Sequence, residues 1–324
     1  MDNAHKTALV TGANSGLGFE AAAQLAADGW GRVILACRTV EKAETAREQL
    51  VARTGRDPFA LLAVDTSEVD SAEDAAARLA ELGGTIDFLL LNAGATSKEP
   101  RFNADGVEAT YASTLVGHHV LSMRALERGL LAPQARIVIA GSEGARGNMP
   151  GMRVHDVAGI AADHFGGDRA AAIEALAKIQ APVQDGFANM NEYVTAKAVV
   201  AWWAAALARR LPEGMTVNAV SPGANVDTSF ARDASAAMRL VMLPAMKLVG
   251  PLFGMNGPID QGARRYLDAA EYDDSRSGAF YATAHRRKAV GPVAVQTWPE
   301  YFVDEDAQEA GFEAVVRLTG VGAV

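Results

Sequence analysis

Two groups of residues in this chain have the types and the spacing that redox chemistry on an alcohol or a carbonyl requires. Tyr193 and Lys197 stand four positions apart. On a helix they would share one face, where a phenol can exchange a proton beside an ammonium group. Far upstream, an apolar strand runs into a glycine-rich turn made of Gly12, Asn14, Ser15, Gly16, Leu17 and Gly18. A turn of this kind before a helix can bind a pyrophosphate.

Each of these signals has a plainer interpretation when it is taken alone. A glycine-rich turn can be only a turn, and the spacing here differs from the common dinucleotide pattern G-x-G-x-x-G. The pair Tyr193 and Lys197 could equally be a polar pair on the surface of a helix. Their interpretation therefore depends on the motifs around them.

The composition limits the classes of partner. The chain has 324 residues and a net charge of −9, and it lacks the clustered Lys and Arg that neutralise nucleic-acid phosphates. A small molecule is therefore the expected partner. The single cysteine, Cys37, excludes an internal disulfide, and the first residues contain no apolar signal core, so we expect a cytoplasmic protein. None of the six histidines has metal-ligand spacing, so no metal site is predicted.

No membrane-spanning segment is predicted, because uninterrupted apolar runs of about 20 residues are absent. The nearest candidate, residues 236–255, contains Arg239, Lys247 and two prolines. We interpret it as a substrate lid or a buried lobe, with a membrane-surface segment as the alternative. Its apolar residues, Leu240 to Leu243 with Met246, Leu248, Leu252 and Phe253, suggest a bulky hydrophobic substrate.

Short apolar segments alternate with alanine-rich helical segments, which is the pattern of a doubly wound parallel sheet. The predicted strands are Lys6–Val10, Arg32–Ala36, Phe59–Val64, Ile86–Leu91, Arg136–Ala140 and Met215–Val220, with Gly278–Ala282 as the last. The predicted helices include Phe19–Asp28, Glu41–Arg53, Ser71–Leu82, Asp168–Lys178 and a closing helix over Glu305–Leu318. Asp70 or Ser71 is the expected cap of the third.

With these motifs in order, residues 6 to 228 resemble the short-chain dehydrogenase/reductase family, in particular its retinol-dehydrogenase and carbonyl-reductase types. The resemblance implies a Rossmann-type sheet with helices on both faces, in one enlarged domain over residues 1–324. It also implies a dinucleotide-dependent carbonyl reductase or alcohol dehydrogenase. The motifs that carry it lie at strand ends: Thr11 to Gly18, Asp65, Leu91-Asn92-Ala93-Gly94, Ser142, Tyr193 with Lys197, and Ser221-Pro222-Gly223 with Thr228.

The resemblance also implies roles for individual residues. Tyr193 would be the general acid and base, Lys197 would bind the nicotinamide ribose, and Ser142 would hydrogen-bond the substrate oxygen. A lysine ammonium at about 4 Å would stabilise the phenolate by about 4 kcal/mol, which would lower the tyrosine pKa by roughly three units. The cofactor-binding set is completed by Asp65 at the adenine, by Asn92, Ala93 and Gly94 beside the adenosine, and by Pro222, Gly223 and Thr228.

Cofactor choice depends on the end of the second strand. In the family an acid at the position of Cys37 selects NAD, because it bonds the adenosine ribose and repels the extra phosphate of NADP. That acid is absent here, and the neighbouring Arg38 can attract the phosphate, so NADP(H) is favoured over NAD(H). The alternative is that Arg38 only caps the edge of the sheet.

Thr114 departs from the family pattern, which commonly has an asparagine holding a water that links the lysine to solvent. Threonine has no amide, so this relay is weakened, or rerouted with help from Ser113. The departure leaves a second hypothesis open, a non-catalytic dinucleotide-binding regulator of the same fold.

Two regions are longer or more variable than the family core. Ser142 and Tyr193 are 51 positions apart, so an insertion with one or two helices is predicted over residues 146–190. Comparable insertions in monomeric carbonyl reductases cover the surface that other members use for dimerisation, so a monomer is favoured over a homodimer. The insertion could equally form a wall of the substrate pocket. Residues 229–324 are expected to form a C-terminal substrate-binding or lid region.

Overall fold

A parallel sheet forms the centre of the protein. The computed structural model describes residues 3–149, 151–183, 186–224, 257–272, 274–286 and 288–322. The strands within these ranges lie in the order β3-β2-β1-β4-β5-β6-β7-β8, and only β8 runs antiparallel to its neighbour. Their bounds are β1 Thr7–Thr11, β2 Arg32–Cys37, β3 Phe59–Ala63, β4 Ile86–Leu91, β5 Leu131–Ala140, β6 Thr216–Val220, β7 Phe280–Thr283 and β8 Val293–Val295.

Helices cover both faces of this sheet. Because side chains alternate along a strand, Ala8 and Val10 of β1 enter one apolar cluster while Leu9 enters the other. The helices are α1 Gly16–Ala27, α2 Val40–Thr54, α3 Val69–Leu82, α4 Ala109–Tyr111, α5 Gly117–Glu127, α6 Val157–His164, α7 Arg169–Ala177, α8 Asn189–Ala208, α9 Ile259–Ala269 and α10 Glu305–Thr319. The predicted doubly wound, Rossmann-type fold is confirmed.

The strand order places the predicted site residues along one edge of the sheet. The chain runs outward from β1 through β2 to β3 on one side and from β4 onward on the other, so the order reverses between β1 and β4. Crevices at such switch points, outside the carboxyl ends of the strands, are where ligands bind in open α/β sheets. The loop motifs follow the carboxyl ends of parallel strands, from the glycine turn after β1 to Pro222 after β6, whereas Tyr193 and Lys197 lie within α8.

Two local predictions about element ends are wrong. Helix α3 begins at Val69, with Glu68 rather than Asp70 or Ser71 at its N-cap. The Ser71 hydroxyl instead accepts a hydrogen bond from the backbone N–H of Asp65, 2.9 Å away, so it serves the loop that precedes the helix. The predicted last strand corresponds to β7, but β8 follows it and pairs with it through Tyr281 and Val295.

The insertion and the C-terminal segment both pack around α8. Residues 146–190 contain two helices, α6 and α7, and α10 contacts both α7 and α8. Helices α8 and α10 approach closely at Gly311, where a Cβ atom would lie 2.8 Å from Cβ of Trp202. The proposed lid over residues 236–255 and Thr228 lie outside the described residues. Within the described part of the chain, no helix is long and apolar enough to cross a membrane.

Candidate active site

The glycine turn after β1 packs directly on the end of β4. A Cβ atom on Gly18 would lie 2.5 Å from both the carbonyl oxygen of Gly12 and Nδ2 of Asn92, so only glycine fits there. Asn92 also donates from Nδ2 to the carbonyl oxygen of Thr11, at 2.9 Å. Ser15, the N-cap of α1, makes no side-chain capping bond, which leaves the first N–H groups of the helix to a ligand. These features fit a bound dinucleotide phosphate.

The end of β2 presents a cation beside a carboxylate. Nε of Arg38 lies 3.3 Å from Oδ2 of Asp65, and the Arg38 side chain is 63% exposed. Its guanidinium therefore has N–H groups that solvent or a phosphate can reach. Cys37 is buried, and this burial raises the pKa of its thiol to about 11, so Cys37 is an inert packing residue.

Ser142, Tyr193 and Lys197 meet where β5 ends against α8. Lys197 donates from Nζ to the carbonyl oxygen of Ala140 at 2.6 Å, and Nζ lies 6.0 Å from the centroid of the Tyr193 ring. The Ser142 hydroxyl is hydrogen-bonded to Tyr193, and its oxygen accepts from the N–H of Gly144 at 3.1 Å. Ser142 and Tyr193, which are 51 positions apart in the sequence, are thus neighbours in the fold.

Burial controls the protonation of this group. It raises the pKa of Tyr193 above its ordinary value, although the hydrogen bond from Ser142 acts in the opposite direction. Burial also lowers the pKa of Lys197 from 10.5 to about 8. The expected lowering of the tyrosine pKa is therefore wrong, because desolvation by burial is the dominant effect. At neutral pH the phenol is protonated and can donate its proton.

Thr114 lies in a π-helical turn, Ala112–Val116, between α4 and α5. Such turns occur frequently at functional sites. The side chain is only 1% exposed, and among the described residues its Oγ1 has no hydrogen-bond partner. A Cβ atom placed on Gly94 would lie 3.3 Å from Oγ1 of Thr114 and 3.9 Å from Nζ of Lys197. The hydroxyl of Thr114 therefore faces the same small space as the lysine.

Comparisons with known proteins identify the family of this chain. A family model described as short chain dehydrogenase matches residues 6–167, half of the chain. The chain belongs to this family of oxidoreductases.

Among curated relatives of this dehydrogenase, the chloroplastic protochlorophyllide reductase of Chlamydomonas reinhardtii is 29% identical over 292 residues, which cover 86% of this chain and 69% of the relative. The short chain dehydrogenase sol3 of Alternaria solani is 27% identical over 283 residues, 87% of this chain and 90% of the relative.

Solved structures show the same fold at low sequence identity. An uncharacterized protein from Mycobacterium paratuberculosis superposes with a TM-score of 0.67 at 22% identity, covering 100% of this chain and 96% of that one. A short chain dehydrogenase from Burkholderia cenocepacia, in complex with NADP, has a TM-score of 0.60 at 24% identity, covering 86% and 96%. At these low sequence identities, the structural similarity is evidence for the fold alone.

Two cavities of the dehydrogenase border the predicted motifs. One of about 460 Å³ follows the turn after Ser142 and reaches Asn191, two residues before Tyr193; its other lining residues are Gly147, Asn148, Met149, Gly151, Met152 and Arg153. Ser142, Tyr193 and Lys197 are not among the residues that line this cavity, so a role of the insertion as a wall of the substrate pocket stays a prediction. The other, of about 170 Å³, lies where Pro222 and Ala224 face Arg265 of α9. Gly223 adjoins the same arginine, since a Cβ there would lie 3.0 Å from its Nη1.

Sequence reasoning missed two sets of buried polar residues. Glu143, next to Ser142, accepts hydrogen bonds from the N–H of Thr283 at 2.9 Å and from Arg146, and lies 3.5 Å from Arg265. This cluster anchors the turn that carries Ser142 to β7. The second set is His118 with its partners at Thr11 and Thr114. In the sequence His118 is predicted to be a core residue of a helix, and the structure confirms its burial. Because His118 stands four residues after Thr114, the spacing was the available signal that the two residues are in contact on one helix face.

Proposed function

We propose that this short-chain dehydrogenase is an NADP(H)-dependent oxidoreductase that interconverts a ketone or aldehyde and the corresponding alcohol. The observation that supports the proposal most directly is the meeting of Ser142, Tyr193 and Lys197. They meet at the carboxyl edge of the sheet that also carries the glycine turn. The proposal assigns the catalytic roles to these three residues and the cofactor-binding role to the motifs at the other strand ends.

The chain's own residues would perform the proton part of the reaction. When bound, the dinucleotide would supply or accept a hydride at the carbonyl carbon. As negative charge grows on the substrate oxygen during reduction, the Ser142 hydroxyl would donate a hydrogen bond to it and the protonated Tyr193 would transfer its proton. Lys197, whose pKa is about 8, is charged at neutral pH and would stabilise the phenolate that remains.

The cofactor preference is supported by charge. Arg38 is exposed directly after β2, and Cys37 leaves that strand end without a carboxylate of its own. A guanidinium binds a phosphate through charge-assisted hydrogen bonds. The neighbouring carboxylate of Asp65 partly offsets this charge, so the preference for NADP(H) should be moderate. The structural neighbour from Burkholderia cenocepacia in complex with NADP agrees with this choice.

The larger cavity guides the choice of test substrates. Its lining combines Met149 and Met152 with two asparagine side chains, which suits an apolar molecule that has a few polar groups. A panel of aldehydes and ketones with bulky apolar substituents is therefore the first choice for an assay. Protochlorophyllide belongs in the panel because several relatives are named for its reduction.

The test is NADPH oxidation by the wild type and by Tyr193→Phe. The substitution removes only the hydroxyl, so turnover should nearly vanish while NADPH affinity stays close to that of the wild type. Tyr272→Phe is the matched control, because Tyr272 stacks on Tyr281 outside the reactive group. Wild-type turnover in Tyr193→Phe would contradict the mechanism. Tight NADPH binding without oxidation across the whole panel would favour the non-catalytic regulator.

A further inference from the structure

His118 connects two parts of the site that are far apart in the sequence. It lies in the first turn of α5 and is 1% exposed. Its Nδ1 lies 2.9 Å from the carbonyl oxygen of Thr114, and its Nε2 lies 2.9 Å from Oγ1 of Thr11. Thr11 is the last residue of β1, directly before the glycine turn. The imidazole therefore spans the distance between the dinucleotide turn and the π-helical turn.

The partners determine which nitrogen of His118 carries the proton. A carbonyl oxygen can only accept, so Nδ1 must donate to Thr114 and Nε2 is left as an acceptor. The Thr11 hydroxyl donates to Nε2 at 2.9 Å rather than to its other acceptor, the carbonyl oxygen of Leu90, which is farther away at 3.4 Å. Oγ1 of Thr11 in turn accepts from the N–H groups of Asn92 and Ala93, at 2.8 and 3.0 Å. Burial lowers the pKa of His118 to about 3, which keeps the ring neutral and this tautomer defined.

The two nitrogens of the imidazole bond two different parts of the site, the dinucleotide turn and the π-helical turn. At one end, the Thr11 hydroxyl accepts from the N–H groups of Asn92 and Ala93, and the Thr11 carbonyl accepts from the side chain of Asn92. Gly18 packs against that side chain. At the other end, the carbonyl of Thr114 is occupied, and the Thr114 hydroxyl faces the space beside Gly94 and Lys197. The imidazole is also close enough to Lys197 for the lysine charge to contribute to the lowered pKa of His118.

We propose that His118 is a positioning residue that couples the dinucleotide turn to the proton site. Through Nε2 it fixes the dinucleotide turn, and through Nδ1 it holds the backbone of the π-helical turn, so that the Thr114 hydroxyl stays in the space beside Lys197. The proposal rests on the proposed function of this site. It differs from a packing role because the two nitrogens should control two separate properties.

Two substitutions separate the two nitrogens. His118→Asn keeps an N–H donor close to the position of Nδ1 and loses the bond to Thr11. His118→Gln keeps an acceptor close to the position of Nε2 and loses the bond to Thr114. His119 supplies the matched controls, His119→Asn and His119→Gln. It is equally buried, and it bonds the carbonyl oxygen of Val321 at 2.8 Å and Nε1 of Trp203 at 3.0 Å, outside the site.

Neither readout requires the substrate. The first is the Kd of NADPH, measured from the change in NADPH fluorescence on binding. The second is the pKa of Lys197, measured by carbon-13 NMR of labelled lysines. The Lys197 resonance is assigned by its absence from the spectrum of Lys197→Met. We expect His118→Asn to weaken NADPH binding about tenfold, as the loss of a buried hydrogen bond would, and to leave the Lys197 pKa within a few tenths of a unit. We expect His118→Gln to change the Kd less than about twofold and to raise the Lys197 pKa by at least roughly half a unit, because loss of the bond to Thr114 loosens the π-helical turn and reduces the desolvation of the ammonium.

The proposal is overturned if both His118 variants move the two readouts equally, or if they lower thermal stability like the His119 variants and move neither readout. Thr11→Val gives a second route if a His118 variant does not fold. It removes the hydroxyl that bonds Nε2 and that also accepts from the N–H groups of Asn92 and Ala93, so it should weaken NADPH binding at least as much as His118→Asn and leave the Lys197 pKa unchanged. Thr11→Ser should restore wild-type values. Failure of the wild type to bind NADPH would refute the proposed function, and the lysine titration would still decide whether His118 holds the π-helical turn.

Discussion

Replacement of Lys197 by methionine tests whether a buried, proton-binding lysine lies at the centre of this site. Methionine has a similar length and no charge, so it can occupy the same buried space. Lys197 is 5% exposed, and burial lowers its pKa from 10.5 to about 8. In the unfolded chain the ammonium keeps its proton up to the ordinary pKa, whereas in the folded protein it loses the proton much earlier.

The size of the effect follows from this difference in pKa. Between pH 8 and 10.5 the unfolded state binds more protons than the folded state, so raising the pH stabilises the fold. The charged lysine costs the fold about 3.3 kcal/mol near pH 7 and about 1.4 kcal/mol near pH 9.5. The wild type should therefore gain about 2 kcal/mol in unfolding free energy relative to Lys197→Met over that interval. This difference does not depend on the bond that the lysine makes to Ala140.

The assay is urea unfolding of both proteins at several pH values in this interval. Lys178→Met is the control, because it removes a partly exposed lysine whose partner is Glu174 on the same helix. Carbonyl reduction by Lys197→Met should fall sharply, and reduction by the wild type should decline as the pH rises through about 8, where Lys197 loses its charge. A gap in unfolding free energy between wild type and Lys197→Met that stays constant with pH would refute the assignment of the low pKa to Lys197.

Three other predictions address the cofactor, the relay and the assembly. Arg38→Ala should weaken NADPH binding by about 1.5–3 kcal/mol and spare NADH, as measured by fluorescence titration; equal losses would contradict the selectivity. Thr114→Asn should keep or raise the turnover number if the missing amide weakens the relay, and a large fall with unchanged melting temperature and cofactor affinity would show a different, working relay. Because α10 packs on α8 and α7 packs on α10, the protein should sediment as a monomer near 33.9 kDa, and a stable dimer in analytical ultracentrifugation would exclude that covering role.

The fold and the candidate site could be predicted where the signals are local. Strand β4 was predicted with its exact bounds, Ile86–Leu91, because its apolar run is bounded by polar and glycine residues. Strand β5 begins five residues before the predicted Arg136, at Leu131, because the exposed Pro133 and Gln134 interrupt its apolar pattern. The short edge strand β8 was missed because three residues carry too little pattern to be recognised.

The sequence by itself determined the chemistry that this chain carries: a glycine turn after a strand, a tyrosine and a lysine one helical turn apart, and a cation after β2. These signals depend on residue type and on spacing within one element, which backbone geometry sets. The tertiary structure alone decided the protonation of Tyr193 and Lys197 and the two hydrogen bonds of the His118 ring. Desolvation depends on everything packed around a group, so the expected low tyrosine pKa became a raised one. The bond between Thr11 and His118 joins residues 107 positions apart, and only the packing of α5 against the end of β1 brings them within 2.9 Å.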